Sequence, residues 1–332
     1  MKAIVLQEQG PIERSPLRLA EVPQPEPGPH EVRIKVGVCG VCRTDLHVVE
    51  GELPAHRLPL IPGHQIVGWI DKVGAGVTAW RGAERVGVPW LYKTCGACKY
   101  CVRGQENLCD RALFTGYDAD GGFAEYTVAP EDFVYRLPAN YTDLEAAPLL
   151  CAGVIGYQAL NATGLQDRGK LGLFGFGSSA HIVIQVAIHR GLEVYVVSRT
   201  EQELALAREL GAKWAGRIDD EMGARLDAGI VFAPSGELLV RSLAKLDKGG
   251  RIVSAGIYTT PLPGFDYALI YPEKCLTSIA HTTRENVRAF LEAASGCKIK
   301  TQVNVYKLAE ANAALANIKH SKVSGSTVLD IH

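Results

Sequence analysis

The chain has 332 residues, of which 35 are basic and 36 acidic, and a formal net charge of −1. That length exceeds the comfortable size of one hydrophobic core, so two domains are expected. Near-zero charge with scattered basic residues excludes a nucleic-acid or anionic-membrane surface. No run reaches the roughly 18 apolar residues of a spanning helix, so a cytoplasmic location is expected.

Residues 1–90 read as β-rich. Runs such as Glu31–Val38 and Ile66–Gly74 are separated by Pro and Gly turns, with Gly63, Gly68, Gly74, Gly76, Gly82 and Gly87 marking tight reversals. Pro23–His30 is too proline-rich for a helix or central strand and reads as a surface connection. A closed, barrel-like or Greek-key β scaffold is expected here.

Within it, CGVCRTDLH (Cys39–His47) concentrates reactive side chains. Cys42 is a potential thiolate ligand, Thr44 and His47 could pass a proton, Arg43 could hold a phosphate, and Asp45 could orient a ligating histidine. Alone, the stretch reads equally well as a buried cysteine before a polar helix start. His64 follows a Pro-Gly turn in LPLIPGHQIVGWI. A borderline-soft metal held by Cys42 and His64 needs a third ligand, and Cys151 in AAPLLCAGVIGYQAL supplies one. Two thiolates and one imidazole leave a coordination position open, which is the catalytic arrangement of zinc.

Nine cysteines, an odd number, argue against a disulfide framework. Cys95, Cys98, Cys101 and Cys109 follow the spacing C-x2-C-x2-C-x7-C. Four thiolates close the coordination shell, so a structural zinc pinning a long loop is expected, in preference to a redox or iron-sulfur site. Cys275 and Cys297 read as plain buried thiols.

From about residue 150, strands and helices alternate. Leu171–Phe176 is a strand-like apolar run, and helical spacing begins at Ser178. Between them lies G-x-G-x-x-A: Gly175, Gly177 and Ala180. Glycines between a strand and a helix let a pyrophosphate approach the helix N-terminus. The next strand, Leu192–Arg199, ends with Ser198 and Arg199 where an Asp or Glu would grip the ribose of NAD. A hydroxyl followed by a guanidinium accepts a 2′-phosphate, so NADP is favoured over NAD; the alternative is that Arg199 stacks on adenine or lies in solvent. The alternation continues through a helix ending at Gly211, a strand at Asp227–Pro234, a helix in GELLVRSLAKL capped by Gly249, and strands at Gly250–Ile257 and Cys275–His281. Two such mononucleotide halves make a doubly wound parallel sheet. A helix from near Thr283, a final helix from Leu308 and the strand STVLDI are expected to return to the first domain.

With these motifs in order, the sequence resembles the zinc-dependent alcohol dehydrogenases of the medium-chain dehydrogenase/reductase superfamily, in its bacterial branch. The likeness spans essentially the whole chain. It rests on Cys39-Gly40-Val41-Cys42 with Thr44, Asp45 and His47, on Gly63-His64, on Pro89-Trp90-Leu91, on the four-cysteine lobe, and on Leu150-Cys151-Ala152-Gly153 before the Gly175 turn. The resemblance implies a GroES-like β-rich catalytic domain (residues 1–152 and 283–332) and a Rossmann dinucleotide-binding domain (153–282). It implies a catalytic zinc on Cys42, His64 and Cys151, and a second, structural zinc on Cys95, Cys98, Cys101 and Cys109. Thr44 would take the alcohol's proton and pass it through the cofactor ribose to His47; Arg43 would touch the pyrophosphate, and Leu53 and Trp90 would line the substrate pocket. Gln65 stands where the family usually has Glu. Ser326 follows Gly325 where many members carry an Arg for the cofactor phosphates, and Ala83-Glu84 replaces a Gly-Asp turn.

The expected reaction is reversible hydride transfer between a primary or small secondary alcohol and NAD(P), with aldehyde or ketone as the oxidised partner. The alternatives are a zinc reductase of bulkier or aromatic aldehydes, and a non-catalytic NADP-binding zinc protein. A dimer or tetramer, joined through the edge strand near Leu276–Ile279, is expected by analogy.

Overall fold

The computed structural model describes residues 1–332 and divides into two compact units. The first comprises Met1–Cys151, His281–Ser295 and Thr301–His332; the second comprises Ala152–Ala280 and Gly296–Lys300. Residues 296–300 therefore leave the segment that the sequence assigned whole to the first domain. Gln185 tethers them, donating to the Lys300 carbonyl at 2.9 Å and accepting from its N–H at 2.9 Å.

In the first unit, β1 (Lys2–Leu6) and β2 (Leu17–Glu21) form an antiparallel pair. β3 (Glu31–Val41) is followed by α1 (Arg43–Glu50), then β4 (Gln65–Val73), β5 (Arg85–Val88), β6 (Leu91–Lys93), α2 (Lys99–Val102), β7 (Leu113–Phe114), β8 (Tyr126–Pro130), β9 (Tyr135–Arg136) and α3 (Asp143–Ala146). β3 alternates burial at its start and is buried throughout from Val36 onward, while β4, β8 and the C-terminal strand pair along its two edges. A strand covered on both faces can be apolar at successive positions. Its core includes Ile34, Val36, Leu46, Ile66, Val86, Trp90 and Phe123.

The second unit runs α4 (Ala152–Ala162), β10 (Lys170–Phe174), α5 (Ser178–His189), β11 (Glu193–Val197), α6 (Glu201–Glu209), β12 (Trp214–Gly216), β13 (Leu226–Val231), α7 (Gly236–Leu243), β14 (Leu246–Ser254) and β15 (Cys275–Ser278). The strand order is β12-β11-β10-β13-β14-β15, and every pairing is parallel. The first strand thus lies centrally, and the order reverses between β10 and β13, where such sheets bind nucleotides beyond the strands' C-terminal ends.

After α8 (Arg284–Cys297), the chain forms β16 (Val303–Lys307), α9 (Ala311–Lys319) and β17 (Ser326–Asp330). β17 pairs antiparallel with β3, Val328 opposite Gly40, so the C-terminal strand completes the first unit's sheet.

Several expectations are corrected. The helix expected from Leu308 opens as a 3-10 turn, Leu308–Glu310, before α9. Gly249 does not cap α7, which ends at Leu243; it lies inside β14 with φ +73°, where the register against β13 slips between Leu226 and Ala228. Cys275 and Cys297 are half-buried rather than buried. β12 and β16 have too few periodic residues to read from sequence. No helix is long and apolar enough to cross a membrane.

Candidate active site

The register of the first sheet builds the site. Gly40 of β3 pairs with Gln65 of β4, so Cys42, just past the end of β3, and His64, just before β4, lie side by side. His64 is delivered by Gly63 at φ +98°, where a Cβ would sit 2.4 Å from the Phe123 ring. Only glycine fits that turn.

Cys42 is the N-cap of α1. Its sulfur accepts from the Thr44 N–H at 3.3 Å, and its own N–H donates to Asp45 Oδ2 at 2.8 Å. The reciprocal capping fixes Asp45, whose other oxygen accepts from His64 Nδ1 at 2.9 Å. Asp45 and His64 are buried. With Nδ1 committed, His64 presents Nε2, which lies 3.3 Å from Cys42 Sγ. Cys151, between a 3-10 turn at Ala147–Leu150 and α4, completes the group; the three donor atoms lie within 4.8 Å of one another.

The charges are set mutually. The Cys151 thiol directed at Cys42, opposed by burial and aided by His64, holds Cys42 well below the usual thiol range. The same contact, with burial, pushes Cys151 well above it. Burial alone would lower His64, but the Asp45 and Cys42 charges outweigh it and raise the imidazole to about 10. Burial lifts the Asp45 carboxyl. A thiolate, an imidazole oriented by a carboxylate and a second thiol at these spacings fit a tetrahedral zinc, for which S···S and S···N separations are roughly 3.5–3.8 Å.

Around this trio, Thr44 and His47 stand one turn apart on α1. His47 is 5% exposed, and its Nδ1 contacts Glu52, a partner the sequence reading missed. Arg43 donates to the Ile318 carbonyl at 3.1 Å, and Leu53 is half-buried, its N–H bonded to the His47 carbonyl at 3.1 Å. Trp90 meets the His64 ring edge-on at 4.9 Å and stacks on Phe114 at 5.1 Å. Its indole N–H donates to His281 Nδ1 at 3.1 Å, so His281 carries its proton on Nε2; burial lowers its pKa and keeps it neutral. His281 sits at φ +54°. Gln65 is 2% exposed and fills the space beside Gly40.

The second cluster, Cys95, Cys98, Cys101 and Cys109, also has its sulfurs within 4.8 Å. The Cys98 N–H points at Cys95 Sγ at 3.3 Å and the Arg111 N–H at Cys109 Sγ at 3.4 Å. Backbone N–H groups from Ala97 and Cys98 bring Cys95 down to about 6, while burial and the contact with Cys98 push Cys101 up to about 11. Four sulfurs with S···S separations of 3.6 and 3.9 Å fit a closed zinc site.

In the second unit, Gly175 has φ +90°, and Gly177 is the N-cap of α5. A Cβ at Gly177 would meet nothing within 4 Å, leaving an open cradle at the helix N-terminus that suits a pyrophosphate. Ala180 is buried in the first turn. Ser198, directly after β11, is buried and Arg199 is exposed. A carboxylate missed in the sequence also reaches this strand end: Glu203, from α6, accepts from the Ser198 hydroxyl.

Residues 28–139 match the alcohol dehydrogenase GroES-like domain family and residues 180–296 the zinc-binding dehydrogenase family. A probable alcohol dehydrogenase of Mycobacterium tuberculosis is 44% identical over 335 residues, covering 99% of this chain and 97% of that protein. A cinnamyl alcohol dehydrogenase structure from Sorghum bicolor superposes with TM-score 0.90 at 30% identity, covering 98% of this chain and 97% of that one. A cobalt- and zinc-bound alcohol dehydrogenase from Pyrobaculum aerophilum gives TM-score 0.91 at 27% identity, covering 100% and 99%. The chain thus belongs to the zinc-dependent alcohol dehydrogenases of the medium-chain dehydrogenase/reductase superfamily.

Proposed function

We propose that this dehydrogenase interconverts primary or small secondary alcohols with their aldehydes or ketones, using Cys42, His64 and Cys151 to hold a catalytic zinc. The observation that carries this reading is the three-donor cluster backed by Asp45; three protein donors leave the fourth position of a tetrahedral zinc to substrate or water. Bound there, zinc would supply Lewis acidity, and a nicotinamide cofactor held at the Gly175 turn would supply the hydride chemistry. Asp45 holds the ligating histidine in one tautomer and orientation. Thr44 takes the alcohol proton and passes its own toward His47, one turn away, and the exposed Glu52 that contacts His47 Nδ1 gives it a route to solvent. The Gly175, Gly177 and Ala180 turn binds the pyrophosphate, Arg43 is the first unit's candidate for a cofactor phosphate, and Leu53 and Trp90 line the substrate pocket.

The four-cysteine lobe holds a second, structural zinc, giving two per chain. Arg199 supports an NADP preference, and the carboxylate on Ser198 opposes it. A cytoplasmic location is part of this reading. So is a dimer or tetramer, supported by the edge position of β15 and by exposed Tyr258, Phe265, Tyr267 and Tyr271 in the segment before it.

A second reading, reduction of bulkier aromatic aldehydes, is favoured by the aromatic wall of Trp90, Phe114, Tyr117 and His281. Nicotinamide absorbance with ethanol, butanol, benzyl alcohol and cinnamyl alcohol tests both. Turnover of ethanol and butanol supports the first reading, and turnover confined to the aryl alcohols supports the second. Flat traces from zinc-replete protein with either cofactor would overturn both.

A further inference from the structure

We infer that Glu203 is the residue that decides between NAD and NADP in this chain, and that it selects NAD. The inference rests on the reading of the β10–α5 turn as the dinucleotide site. In a doubly wound sheet the adenosine ribose lies at the end of the second strand, here β11, whose last residue is Val197. No carboxylate follows it directly, since Ser198 and Arg199 come next.

The fold supplies one from α6. Thr200 caps that helix, its hydroxyl accepting from the Glu203 N–H at 3.4 Å. A glutamate at this helix position often reaches back to the N-cap backbone. Here the Glu203 carboxylate goes instead to the Ser198 hydroxyl, in front of the strand end.

The donor and acceptor inventory then determines what the pair can bind. Ser198 has one hydroxyl proton and gives it to Glu203, so the serine offers lone pairs and the carboxylate offers its remaining acceptor positions. Ribose 2′- and 3′-hydroxyls are donors and match this surface. A 2′-phosphate brings only acceptor oxygens and about two negative charges against a carboxylate. Arg199 opposes that repulsion, but it is exposed and screened by solvent, whereas Ser198 is buried at 5% exposure and Glu203 half-buried. The carboxylate outweighs the guanidinium.

The test is calorimetric binding of 5′-AMP and 2′,5′-ADP to the zinc-replete protein and to Glu203→Gln, which preserves shape and removes the charge. The wild type should prefer 5′-AMP, and Glu203→Gln should shift the ratio toward 2′,5′-ADP by about tenfold or more. A wild type that prefers 2′,5′-ADP, or a ratio unchanged in Glu203→Gln, would overturn the inference while leaving the dinucleotide site standing. The wild-type comparison does not depend on the variant folding. If neither probe binds the wild type, the dinucleotide reading itself fails and the inference falls with it.

Discussion

Asp45 and His64 form a buried pair, the carboxylate Oδ1 2.9 Å from the imidazole Nδ1 and both side chains at 1% exposure or less. Because Asp45 also accepts from the Cys42 N–H, one carboxylate fixes two of the three donors. Asp45→Asn can accept from only one of these two donors and turns its N–H2 toward the other, so His64 loses either its orienting bond or the tautomer that leaves Nε2 free to ligate. Zinc affinity at this site should fall about 10- to 100-fold, read by competition with a chelator. An unchanged affinity would remove Asp45 from the support of His64.

His47 contacts Glu52 and stands one turn from Thr44. His47→Ala should slow alcohol oxidation more at about pH 6.5 than at about pH 9.5, where hydroxide can take the proton directly. Glu52→Gln should show a smaller loss of the same pH shape. An equal loss at every pH in both variants would take them out of the proton path.

His181, in the first turn of α5, is fully buried, and no well-formed hydrogen bond reaches either ring nitrogen; the Ser178 and Gly177 backbone offers only weak polar contact that opposes the effect of burial. Burial drives its pKa from the ordinary 6.5 to about 4. The unfolded chain binds this proton more readily, so the neutral ring's contribution is fully present above about pH 6.5 and is lost as pH falls toward 4. The full loss is worth roughly 3 kcal/mol. Urea midpoints of wild type and His181→Leu, compared at about pH 7.5 and about pH 4.5, isolate this group from other acid effects. The variant should lose less stability on acidification; parallel losses would contradict the assignment.

The four-cysteine lobe contributes little core, since α2 has no buried residue. Cys98→Ser should therefore lower the melting temperature by roughly 5 °C or more while kcat/KM in the folded enzyme stays near wild type. Loss of turnover with unchanged stability would reverse the roles of the two cysteine clusters.

Local spacing made the four-cysteine lobe, the Cys39–His47 stretch, the G-x-G-x-x-A turn and the alternating elements readable, because each lies within a short run of chain; grouping Cys42 with the distant His64 and Cys151 rested on the ligand chemistry of zinc and on the family resemblance. Contacts between distant segments were not readable. The approach of Trp90 to His281 spans 191 residues and depends on where the chain returns from the second unit. Glu203 was missed for the opposite reason: it lies only five residues from Ser198, but its direction depends on how Thr200 starts α6. Gly249 was misread because glycine after a helical run commonly marks a C-cap, whereas here the strand absorbs it at a register slip.

The central claim is that Cys42, His64 and Cys151 hold the metal on which turnover depends. Elemental zinc per chain, measured with activity in wild type and Cys151→Ala, tests it most directly. The account predicts two zinc ions in the wild type, and in the folded variant one zinc with no alcohol oxidation. A variant that keeps two zinc ions, or that oxidises alcohols with one, would contradict it.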